Sequence, residues 1–304
     1  TDYVIQDPHQ IRSLIEFVNW VKTSPFTIPE LGFILKDEES NSVKHKIELV
    51  GVIKIVQHII ESQVQEKESA TILLTSLQKL FNFTDKQFEV ILKWVNVKIS
   101  FVIEKVLQTT FTNGMPDNPE NLEPLFDLIR NVERLLLLFT NFKFKEETIA
   151  HITENMETLG IANRRHLTLD DLKALTIYKT LITLNENAEP LVNAILSDYN
   201  TNKSFSLEST SSLSHILEQD QTLIESLTDS LEFPDSPIKA IEYLQRCLKI
   251  CQTLGINGNS LENLAKDGDF TEQTLARDIA LGALISKYKD EKIASLNGIS
   301  LWVE

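Results

Sequence analysis

The chain has 304 residues, of which 44 are acidic and 29 basic, giving a formal charge of −15 without long acidic runs; such a field repels phosphate backbones, so nucleic acid is not an expected partner. Nine glycines and nine prolines stand among abundant Leu, Ile, Glu, Lys, Asn and Thr. Few breakers and many helix formers point to an all-α protein, long enough for one elongated array or two compact domains.

The first readable element runs from Ile11. Apolar residues at Ile11, Leu14, Phe17, Val18 and Val21 mark one helical face, and Ser24-Pro25 stops the helix because proline disfavours helical geometry in the residue before it. A second helix starts at once. Thr27 is placed to cap it by accepting from the Glu30 N–H, the Glu30 carboxylate to reach back to the Thr27 N–H, and Phe26 and Leu31 to staple across the turn. Residues 43–64 are expected to be helical; the alternation of Val52, Ile53, Ile55 and Val56 also suits a buried strand, but the run is longer than strands usually are.

From Ala70 the opening pattern returns. Phe83, Thr84, Gln87 and Phe88 fall where Phe26, Thr27, Glu30 and Leu31 stand, and the helix they open is expected to continue through Val97 and Phe101 to Leu107. Residues 112–124, with an Asn-Gly turn and three prolines, read as a linker between a subdomain at 1–111 and one at 125–304, unless the whole is one continuous helical domain. Past it, Phe144 and Ile149 repeat the staple while Lys145 replaces the cap. Val132 to Phe139, the most apolar segment, carries Glu133 and Arg134 and reads as a buried core helix.

At 167–172 both devices return, with Leu167 paired to Leu172 and Thr168 to Asp171. Glu189 to Tyr199 reads as a short helix, residues 200–214 as a mobile Ser/Thr/Asn-rich run, and Ser214 to Leu231 as one further helix. Ile256, Asn257 and Leu261 give another copy, followed by Phe270, Thr271 and Leu275. The fold expected is therefore an irregular array of packed helical hairpins built on a recurrent capped-helix unit.

Chemistry is hard to find. The six histidines are scattered, no two at the spacing of a metalloprotease helix, and no GxSxG elbow or phosphate-binding glycine loop occurs. Asp170-Asp171 and Glu146-Glu147 sit in first helical turns, where the helix dipole favours them. Cys247 and Cys251 share a face with Leu244 and Leu248 and read as small core residues. Arg164-Arg165-His166 reads as a solvated loop before a helix. Trp20 and Trp94 fall in the repeats and read as packing residues; Trp302 stands near the end of the sequence. No catalytic, cofactor-binding or metal-ligating residue is assigned, and no enzyme is expected. No apolar run reaches bilayer-spanning length, and no secretory leader opens the sequence. Residue 1 is Thr, which suggests a processed chain or a piece of a larger one.

The segment Ser24-Pro25-Phe26-Thr27-Ile28-Pro29-Glu30-Leu31, with its echoes at Phe83-Thr84, Phe144 and Leu167-Thr168, resembles segments that recur through the helical region of the A component of Tc-type insecticidal toxin complexes. The resemblance implies a non-catalytic segment of the helical shell of a very large secreted protein. Its partners would be the remainder of that chain and neighbouring protomers, and the pentameric assembly would bind host cells and translocate a toxic enzyme. Nothing here resembles that family's channel region, so direct membrane insertion is not assigned. The alternative is a free-standing helical repeat scaffold that binds a protein or peptide.

Overall fold

The computed structural model describes residues 8–35, 49–62, 66–113 and 115–265. Among them the fold is all-α, with 14 α-helices. In chain order these are α1 (Pro8–Thr23), α2 (Ile28–Leu35), α3 (Leu49–Glu61), α4 (Glu66–Phe81), α5 (Asp85–Val95), α6 (Ile99–Leu107) and α7 (Glu123–Phe142). They continue with α8 (Glu146–Glu154), α9 (Leu169–Ile182), α10 (Ala188–Asn202), α11 (Leu207–Leu217), α12 (Gln221–Ser230), α13 (Pro237–Leu254) and α14 (Gly258–Ala265). A minimal antiparallel ladder, β1 (Phe111–Thr112) and β2 (Met115–Pro116), interrupts them.

The chain divides into two compact units, residues 1–157 with 161–176 and residues 158–160 with 177–304. The division falls inside α9. The stretch 112–124 expected as a linker lies within the first unit instead, where it forms the β1–β2 ladder and a 3-10 turn at Pro119–Leu122 that contacts α6 and α7. Prolines at 119 and 124 stand in the first turns of that 3-10 helix and of α7, where a missing N–H costs nothing.

In the first unit α7 is the central element, packed on α2, α5 and α6. Leu125, Leu128, Ile129, Val132, Leu137 and Leu138 are fully enclosed, so the most apolar segment is the core helix its composition indicated. Phe139 meets the edge of Trp94 at 5.1 Å, and Phe142 meets Phe26 at the same separation. Val52, Ile55, Val56 and Ile59 of α3 are all buried, and this i, i+3, i+4, i+7 spacing is the helical alternative of the two that the sequence left open. The first helix departs from expectation. Among the described residues Ile11, Leu14 and Val18 of the expected face are 40–50% exposed, and Ile15 beside them 54%, while Phe17 and Val21 are half-buried; the buried residues of this corner are Phe26 and, from α2, Leu31, Phe33 and Ile34.

In the second unit α10 packs on α11 and α13, and α12 on α11, α13 and α14. Tyr199, Phe205, Phe233 and Tyr243 form a chain of ring contacts at 4.6–5.4 Å, and the Tyr199 hydroxyl donates to the Pro234 carbonyl at 2.9 Å. A Cβ on Gly258 would sit 2.3 Å from the Ser226 carbonyl oxygen, so the close approach of α14 to α12 requires glycine there.

Three expectations about helix limits change. The helix opened by Thr84 ends at Asn96, whose left-handed backbone (φ 49°) turns the chain, and α6 begins anew at Ile99. The 200–214 run is not a loop but the end of α10 and most of α11. Its hydroxyls act as caps, since Ser206 Oγ accepts from the Ser209 N–H at 3.2 Å, and Ser206 and Ser209 donate to the Asp198 carboxylate at 2.7 and 2.5 Å. The single helix expected at 214–231 is two, parted by Glu218 in the left-handed region and restarted by Asp220, which accepts from the Thr222 N–H. The corner expected at Phe270, Thr271 and Leu275, and Trp302, lie outside the described residues.

Candidate functional site

The residues singled out in the sequence build corners. At the first, the Glu30 carboxylate accepts from the Thr27 N–H at 2.8 Å and from its hydroxyl at 2.9 Å, and the Glu30 N–H points at Thr27 Oγ1 at 3.4 Å. Phe26 and Leu31 are buried beside it. At the second, Thr84 and Gln87 exchange backbone and side-chain bonds at 3.2 Å each, and Phe83 and Phe88 stack at 5.8 Å. At the third, Thr168 and Asp171 do the same at 2.7 and 3.2 Å, with Leu167 and Leu172 buried. The shorter Asp171 carboxylate still spans the corner. Lys145 supplies no side-chain bond to α8. Asn257 accepts from the Ser260 N–H at 3.0 Å at the start of α14.

The hydroxyls of Thr27 and Thr168 donate to the carboxylates of their own corners, whereas the Thr84 hydroxyl donates to Glu146 of α8 at 3.0 Å. Cys247 and Cys251 are buried free thiols; burial pushes the Cys247 thiol up, and burial, then the neighbouring Cys247, pushes Cys251 up to about 11. Among the described residues no group of three or more His, Cys, Asp or Glu side chains is placed to hold a metal ion, and no helix is long and apolar enough to cross a membrane.

The arginine pair before α9 does more than a solvated loop would. The Arg164 guanidinium donates to the carbonyls of Lys93 and Thr153, both at 3.3 Å, in the last turns of α5 and α8, and the Arg164 carbonyl accepts from Trp94 Nε1 at 2.9 Å. Arg165 donates to the carbonyl of Asn96, the residue that ends α5, at 3.2 Å. Two guanidinium groups thus satisfy carbonyls that helices leave open, at the ends where the dipole favours positive charge.

This loop also forms one wall of a cleft of about 650 Å³ in the first unit. The α5–α6 turn and the first turn of α6 supply Val97, Lys98 and Phe101, and α7 supplies Pro124, Asp127, Arg130 and Arg134. Arg130 pairs with Asp127 at 3.1 Å. Arg134 is buried, donating through Nε to the Phe33 carbonyl at 2.9 Å with its guanidinium over the Phe33 ring. The sequence reading missed Lys98, Arg130 and Arg134, because their convergence depends on how α6 and α7 pack; the only local signal was the Arg164-Arg165-His166 run.

The chain matches no family model and no curated protein. One further titrating group lies on α7. Glu133 is 2% exposed, and its Oε1 has no hydrogen-bond partner among the described residues. Burial pushes its carboxyl up to about 7, against the pull of the adjacent Arg134 charge.

Proposed function

We propose that the chain is a non-catalytic, protein-contacting helical segment of a larger secreted assembly, of the kind that forms the shell of a Tc-type toxin A component. The observation that supports this reading most is the repetition of one corner. Phe26-Thr27-Glu30-Leu31, Phe83-Thr84-Gln87-Phe88 and Leu167-Thr168-Asp171-Leu172 each join a reciprocal cap to an apolar staple and present no nucleophile, base or ligand set. Such a unit supplies stacking geometry, and stacked units bury a shared core with their neighbours. The exposed apolar stripe of α1 is the surface on which the remainder of a parent chain, or a neighbouring protomer, would continue that stacking.

On this reading the whole assembly, not this segment, contacts the host cell and carries cargo. The test is to express the full reading frame that encodes these residues and image the product by electron microscopy. A large pentamer around a central channel is the expected result. A reading frame that encodes only these residues, or a product that stays monomeric, sinks the shell reading and leaves the free-standing scaffold.

A further inference from the structure

We infer that the cleft between the α5–α6 turn, the start of α7 and the 164–166 loop is a binding site for an acidic peptide segment with an apolar side chain among its carboxylates. The inference does not rest on the shell reading, since the cleft lies wholly within the first unit.

Charge is the first argument. The chain as a whole carries −15, yet this cleft is walled by Lys98, Arg130, Arg134 and Arg165 against a single carboxylate, Asp127. Asp127 is matched by Arg130. Lys98 is exposed with no ion pair among the described residues, and the bond from Arg165 Nη2 goes to a neutral carbonyl and leaves the guanidinium charge unbalanced. A local positive field on a negative molecule selects an anion and orients it. The fork of Arg165 suits a carboxylate, and Lys98 supplies a point charge beside it. Lys98 is also the residue before the first turn of α6, a nine-residue helix with no side-chain cap, so the helix dipole adds to the same field.

Shape and polarity narrow the anion. About 650 Å³ is the size of a cleft for an organic ligand or a few peptide residues, far larger than an inorganic ion needs. Part of its lining is apolar, from Val97, Val102, Pro124 and Phe101, and Phe101 is 48% exposed with the Lys105 ammonium 5.9 Å from its ring centre. A bare phosphate would leave that apolar lining wet. A nucleic acid would extend beyond the cleft onto the acidic remainder of the chain, which repels it. A peptide that alternates carboxylate with apolar side chains meets the basic and the apolar parts of the lining together.

The test uses a fluorescein-labelled peptide alternating glutamate with leucine or phenylalanine, titrated by anisotropy against the full chain, with a lysine-for-glutamate peptide as its control. Lys98→Glu is the decisive variant. Its side chain makes no hydrogen bond or ion pair among the described residues, and a carboxylate at that helix start does not harm α6. The expected result is saturable binding of the acidic peptide alone, weakened at least roughly tenfold by Lys98→Glu and by Phe101→Ser, and falling as salt rises. Melting curves of both variants matching the parent keep the result attributable to the cleft. Equal binding of the lysine peptide, or affinity unchanged in Lys98→Glu, overturns the proposal. Displacement by inorganic phosphate or a short single-stranded oligonucleotide at concentrations below those of unlabelled acidic peptide also overturns it.

Discussion

Single side chains at the corners fix where helices begin. Removing the Thr27 hydroxyl deletes the acceptor of the Glu30 N–H and a donor to its carboxylate, so Thr27→Ala should lower stability by about 1 kcal/mol, as should Thr168→Ala. Lys145→Ala, at a corner without a side-chain cap, should be nearly silent in the same urea titration; a loss equal to that of Thr27→Ala would refute the capping account. Glu133 tests the opposite kind of group. Its carboxyl is raised from 4.5 to about 7 in the folded state, so between those values the native protein holds the proton more tightly than the unfolded chain. Stability should therefore fall as pH rises through that window, by an amount on the order of 3 kcal/mol, and remain low above it. Glu133→Gln should be more stable than the parent near pH 8, by about the same 3 kcal/mol, with the difference vanishing as pH drops towards the ordinary carboxylate range. Unfolding curves that stay parallel across that range would show that Glu133 is solvated in the native state.

At the level of helices, what could be read from sequence was local and what could not was tertiary. A capping box and staple lie within about six residues, so Thr27, Thr84 and Thr168 announce their helices without knowledge of the fold. Helix ends were less legible. Asn96, Lys143, Lys203 and Glu218 all turn left-handed without glycine, and only where the chain must reverse onto a neighbour does that conformation become worthwhile. The Ser/Thr-rich stretch before α11 misleads for a related reason: its hydroxyls favour loops until a partner such as Asp198 fixes them as caps. Arg164 shows how a loop residue serves two elements at once. Arg164→Ala leaves the Lys93 and Thr153 carbonyls without that donor, and a loss of about 1–2 kcal/mol is expected, reported by the fluorescence of Trp94, which bonds the same residue. An unchanged midpoint would mean that water replaces the guanidinium at no cost.

For the molecule as a whole, the all-α class followed from few breakers and regular apolar spacing, whereas the division inside α9 did not. The prolines and Asn-Gly turn at 112–124 mark a bend in the chain, and a bend separates domains only if few contacts cross it; here the 3-10 turn packs on both α6 and α7. The cleft was equally hidden, because Lys98, Arg130 and Arg165 are brought together by packing, and no short window contains their sum. The exposed stripe on α1 is a further product of context, since the apolar period identifies a face that can be covered but not what covers it.

The two buried thiols of α13 supply a clock. The chain has only these cysteines, both in the second unit, so a thiol reagent cannot report on the first. With Cys251 only 1% exposed, modification must await an opening of its surroundings. Labelling should be slow in the native protein and fast in denaturant, and at high reagent concentration its rate should become independent of reagent, giving the opening rate of that unit directly. Immediate reaction of both thiols without denaturant would mean that the α13 core is open on the timescale of mixing.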